Sequence, residues 1–253
     1  MEKTSKIILI LISSIIFVGI LSCSSGASTK SAKAGKAQQD NSSGTVEGNA
    51  KIAQQRDSAT IAMEYSDLYD KAVALLDSNK MDAAIPILDS LSTCNFDKAK
   101  SALAELYLEG IGVPKDEEKA LALALEASKN NDPAALYLLY TIYRKGMSVP
   151  KDMEKANSYL IQSCDQGYER AMLAMARACN SGDGFRIDHP KALSILRNLA
   201  DKGNAEALLD LGQMYENGTG VEKSIDRAIE FYRRAAANGS DSAGEVLKAK
   251  GIE

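Results

Sequence analysis

Residues 205–239 read AEALLDLGQMYENGTGVEKSIDRAIEFYRRAAANG. Ala207, Leu208, Leu211, Met214 and Tyr215 recur at three- and four-residue spacing, which places them on one side of a helix. Gly218 follows, and a glycine turns left-handed without a Cβ penalty, so it ends a helix at little cost. A short loop leads to Ser224, whose hydroxyl can accept from the open N–H groups of a second helix. That helix carries Ala228, Phe231, Tyr232 and Ala235 on one side and stops at Gly239. The stretch therefore encodes two helices folded back on each other.

The same design recurs along the chain. The glycine that closes the first helix falls at Gly110, Gly146, Gly182 and Gly218, a constant step of 36 residues. Alanine keeps that step at Ala99, Ala135, Ala171, Ala207 and Ala243, and again at Ala84, Ala120, Ala156, Ala192 and Ala228. A basic residue precedes the second series at Lys119, Lys155, Lys191 and Arg227, with a capping residue before it at Asp116, Asp152, Asp188 and Ser224. Small residues in fixed columns are spacers that let helices approach closely. One such pair cannot bury its own apolar face, but a stack of them can. Residues 97–239 hold four copies. Residues 58–96 form a degenerate opening helix pair, with a shorter loop and no paired glycines, and residues 240–253 form a capping helix.

The pattern A-x-x-x-L-G-x-M-Y-x-x-G-x-G-V, then Arg227-Ala228 and Ala235-Ala236 before Gly239, resembles the Sel1-like repeat, a relative of the tetratricopeptide repeat. The third copy departs most, with Cys179 in place of tyrosine and Phe185 in place of valine; the second has Ser148 for the later glycine. The resemblance implies an all-α, right-handed superhelical solenoid of antiparallel helix pairs, and a role as an adaptor for protein complexes.

The amino-terminal region reads differently. Lys3 and Lys6 precede a run of about fifteen apolar residues, too short for a spanning helix and right for a secretory leader over residues 1–22. Leu21-Ser22-Cys23 resembles a bacterial lipobox. By that resemblance Cys23 is the lipid-modified first residue of the mature chain, and Ser24 behind it favours the outer membrane. Two or more acyl chains anchor stably where one does not. Residues 23–57 are rich in Ser, Gly, Ala, Lys, Gln and Asn, and read as a flexible tether.

Composition narrows the function. The chain carries 30 Lys+Arg against 34 Asp+Glu and no Trp, which argues against nucleic acid. Beyond Cys23 the remaining Cys94, Cys164 and Cys179 cannot all pair internally, and they read as small buried apolar side chains. His189 is the single histidine, so no Cys/His metal cluster is expected, and it reads as a solvated loop residue. No nucleophile elbow, zinc-protease or phosphate-loop spacing occurs. No enzyme, cofactor or metal is expected, and the chain is read as a monomer.

By analogy with tetratricopeptide geometry, the first helix of each pair lines a concave face. The residues expected to contact a protein or peptide partner are Glu105, Tyr137, Thr141, Lys145, Arg170, Leu173, Arg177, Leu209 and Gln213. Ser101 is expected on the same face. Lys145, Arg170 and Arg177 make its centre basic, and Glu105, Glu109 and Glu206 make its flanks acidic. Arg177 is placed to fork onto a carboxylate. The plainer alternative is solvated helix faces with scattered charge. The expected function is a membrane-anchored scaffold of the bacterial envelope. The alternatives are a surface-exposed structural lipoprotein that contacts host or polymer, and an accessory that binds a small ligand or glycan.

Overall fold

A computed structural model describes residues 43–252, with side chains from Thr60 onward. The expected leader over 1–22, the lipidated Cys23 and the tether up to residue 42 lie outside the described residues. Eleven α-helices follow one another, and no strand occurs among the described residues. They are α1 (Ser43–Asp77), α2 (Met81–Thr93), α3 (Asp97–Glu109), α4 (Glu117–Ser128), α5 (Pro133–Lys145), α6 (Met153–Asp165), α7 (Glu169–Ser181), α8 (His189–Asp201), α9 (Ala205–Asn217), α10 (Ile225–Ala237) and α11 (Asp241–Ala249). The paired glycines fall in the turns, as the repeat requires. The helices group into two compact units, divided between Lys115 and Asp116.

In the first unit, α1 packs on α2 and α2 on α3. Ala72, Ala84, Leu88, Leu91, Ala99 and Leu103 form its core, each at most 2 % exposed. Tyr65 and Tyr69 of α1 lie against Phe96, which caps α3. Ser101, expected to face outward, is instead buried beside Lys100. The long α1, whose tyrosines reach the start of α3, makes this end of the unit more enclosed than a bare repeat. The tether boundary also shifts, because α1 begins at Ser43 and residues 43–57 continue the helix. After Gly48 that stretch is mostly Ala, Lys, Gln and Arg with no proline, and a helix nucleated in the packed part propagates readily through such residues.

In the second unit each helix packs on the next, from α4 to α11. The two alanine columns lie inside this packing, and their members are at most 1 % exposed. The caps are where the sequence puts them. Asp116, Asp152, Asp188 and Ser224 accept from the N–H groups of Lys119, Lys155, Lys191 and Arg227. The first helices have caps of their own: Asp132, Asn204 and Ser240 accept from Ala135, Ala207 and Ala243. The turn between helices is clipped by Asp152, Asp188 and Ser224, whose backbone N–H groups donate to Tyr143, Cys179 and Tyr215.

The two glycines of the motif do different work. Gly218 closes α9 at φ 75°, its N–H donating to Met214. Gly220, at φ 69°, is also pressed against the preceding repeat: a Cβ there would sit 2.4 Å from the Cβ of His189, the first residue of α8. Gly184 meets Met153 in the same way, and Gly112 meets Met81. His189 is therefore not a free loop histidine. It is half-buried in this joint, and its Nδ1 pairs with Asn180 Oδ1 at 3.0 Å.

Candidate functional site

Successive first helices of the second unit leave a cavity of about 410 Å³ over α5 and α7. Register explains its make-up. Tyr137, Thr141 and Lys145 follow one another every fourth residue along α5, and Arg170, Leu173 and Arg177 do so at three and four along α7. Six of the nine expected contact residues, namely Tyr137, Thr141, Lys145, Arg170, Leu173 and Arg177, line this one cavity. Gln213 lines a neighbouring cavity of about 310 Å³, which shares Arg177. Leu209 packs against the core. Glu105 belongs to α3 of the first unit.

The cavity wall is aromatic. Tyr137 lies 5.8 Å from both Tyr140 and Tyr168, ring centre to ring centre. Arg170 stands over Tyr137 at 5.2 Å, and Arg144 over Tyr140 at 5.8 Å, within the range where a ring face attracts a cation. Burial pushes the Tyr140 phenol above its ordinary pKa, with Arg144 pulling the other way. Leu173 is 7 % exposed and serves as floor. The hydroxyl of Thr141 donates to its own helix at Tyr137.

Arg177 does fork onto a carboxylate, but the carboxylate is the protein's own. Its Nε donates to Asp210 Oδ2 at 2.7 Å and its Nη2 to Asp210 Oδ1 at 3.3 Å. Nη2 also donates to Glu206 Oε2 at 2.9 Å. Arg144 is likewise paired with Asp183, in the turn after α7. Burial raises the Asp210 carboxyl above its ordinary value, against the pull of Arg177.

Four of these participants escaped the sequence reading. Asp210 lies one residue beyond Leu209, so the face that meets α7 is turned about 100° from the one the tetratricopeptide template implies. The i,i+4 pair Glu206–Asp210 opposite an arginine carries that signal in the sequence. Tyr140 lies three residues after Tyr137 on the same wall and is 6 % exposed. Asp183 lies in the turn between Gly182 and Gly184, and Arg144 sits one residue before the expected Lys145.

The nucleophiles present are quiet. Burial pushes the Cys164 thiol up to about 12, with Asp165 adding to it, and burial also raises Cys179. Cys94, Cys164 and Cys179 are all free; Cys179 is buried and the other two are half-buried, less enclosed than expected. Among the described residues, no group of three or more His, Cys, Asp and Glu could hold a metal ion. No described helix is long and apolar enough to cross a membrane.

The sequence profile described as Sel1 repeat matches residues 97–132, 133–168, 169–204 and 205–240. Each copy opens at the start of a first helix: α3, α5, α7 and α9. A Sel1 repeat protein from Oxalobacter formigenes shares the fold at a TM-score of 0.62 and 25 % identity, over 73 % of this chain and 77 % of that one. A protective antigen of uropathogenic Escherichia coli with an SLR fold aligns at a TM-score of 0.59 and 23 % identity. That match covers 79 % of this chain but only 44 % of the antigen. An immunity protein from Pseudomonas aeruginosa aligns at 0.54 and 23 % identity, over 71 % and 68 % of the two chains. No curated protein matches the chain.

Proposed function

The chain belongs to the Sel1 repeat family, whose members generally act as non-catalytic scaffolds for protein–protein interaction, and we propose that it is such a scaffold in the bacterial envelope. Lipid on Cys23 holds it to a membrane, in keeping with outer-membrane sorting, and a partner's extended segment docks over α5 and α7. The observation that carries the docking is the cavity itself. Clustered tyrosines, arginines over their faces and a leucine floor converge there from two consecutive repeats. Rigid aromatic and arginine side chains around a recess are the usual anchors of a protein interface. The quiet thiols and the histidine tied to Asn180 fit binding better than turnover. The anchor rests on the charged start, the apolar run and Leu21-Ser22-Cys23.

Two experiments test the two halves. A photo-crosslinking residue at Thr141, in cells, should trap a discrete partner, and the same residue at Glu230 on α10 should not. Trapping from Glu230 alone removes the cavity from the account. Palmitate should label the wild-type chain and not Cys23→Ala. Label that persists in the variant rules out the lipid assignment.

A further inference from the structure

We propose that the ligand of the α5–α7 cavity is an acidic peptide segment, and that Glu206 fills the ligand's place at Arg177 until that segment arrives. This deepens the docking proposal and rests on it. The first ground is charge. The whole chain has a net charge of −4, yet this cavity is lined by Arg144, Lys145, Arg170 and Arg177 against Asp183 and Glu206 alone. Basic residues are concentrated here in a protein that is otherwise acidic, and complementary potential selects a partner of opposite sign.

The second ground is how Arg177 is held. Its inner edge is fixed by two hydrogen bonds to Asp210, which is 14 % exposed. Its outer edge is not fixed. Glu206 is 63 % exposed and takes one hydrogen bond, from an Nη2 already shared with Asp210. Among the described residues nothing accepts from Nη1. A solvent-exposed ion pair is weak and screened by salt, so a competing carboxylate displaces it readily. A shielded fork resists the same competition. Asp210 is thus a positioning residue that aims the guanidinium. Glu206 mimics a ligand carboxylate. Lys145, which has no ion-pair partner among the described residues, offers a further point for an acidic side chain.

The test uses the full chain and a labelled peptide of alternating Glu and Leu, followed by fluorescence anisotropy. A Gln-for-Glu peptide should bind about tenfold more weakly, the scale of a charge-assisted hydrogen bond. Glu206→Gln should tighten the acidic peptide by about twofold to fivefold. Glu230→Gln, which removes the same charge elsewhere, should change nothing. Asp210→Asn should weaken binding and abolish the protected Nε–H resonance of Arg177 seen by NMR, while Arg177→Lys weakens binding with the charge kept. Equal binding of the Glu and Gln peptides overturns the acidic ligand. Inorganic phosphate that displaces the peptide at equal concentration overturns it in favour of a free anion. Acidic binding that ignores Glu206→Gln overturns the internal competitor. In all three cases a partner trapped at Thr141 leaves the docking proposal standing, and loss of that trapping removes it independently.

Discussion

Gly212 sits inside α9, where alanine is ordinarily better than glycine by about 1 kcal/mol. Here the sign reverses. A Cβ at Gly212 would lie 2.4 Å from Cε1 and 2.5 Å from Cδ1 of Tyr232, a ring that is 1 % exposed and tied by its hydroxyl to Glu216. The equivalent pair one repeat earlier is Ala176 and Leu196, a larger residue matched with a smaller ring-free one. We expect Gly212→Ala to lower stability by about 1–3 kcal/mol, the usual cost of an overpacked core. Chemical denaturation measures it. In a double-mutant cycle with Tyr232→Leu the two losses should fall well short of adding, because the same clash is removed from both sides.

The C-terminal helix, docked by Ala243 and Leu247, is also tied to α9 through one carboxylate. Glu216 of α9 accepts from Lys250, just past α11, and from the Tyr232 hydroxyl at 2.6 Å. Lys250, and then Tyr232, hold its pKa below the ordinary glutamate value. A carboxyl depressed on folding stabilises above its unfolded pKa, and that contribution fades as pH falls through the folded one. Hydrogen exchange should therefore show α11 opening before α9 and α10 as pH drops below about 4.5, the unfolded glutamate value. Glu216→Gln should show the loosened helix already at pH 7. An α11 whose protection does not change between pH 7 and 3.5 contradicts this. The elements themselves were legible in the sequence because glycines, caps and alanines sit in fixed columns. Three things were less so. The helical stretch before residue 58 has a composition shared with disordered chains. Ser101 is buried in the first unit, where the repeat pattern alone shows an exposed face. Six of the expected contact residues line one cavity, but the ion-pair partners Asp183 and Asp210 are set by how neighbouring repeats meet, which one helix's periodicity does not encode.

Within the second unit, stability is shared between neighbours. Removing a whole module should thus cost stability without destroying order. We expect deletion of residues 169–204 to keep helicity per residue by circular dichroism while lowering the melting temperature, and to abolish peptide binding with the loss of Arg170 and Arg177. Deletion of residues 169–186, half a module, should collapse the unit, because it joins helices whose apolar stripes face the wrong neighbours. The joints explain the difference. Gly112, Gly184 and Gly220 each touch a residue thirty-one positions earlier: Met81, Met153 and His189. The copy at 169–204 thus carries both halves of a coupling, Gly184 as a plug for the copy before it and His189 as a socket for the copy after. Such a chain can lengthen by tandem duplication without inventing any new contact, so its length is free to drift over evolutionary time while its joints stay the same.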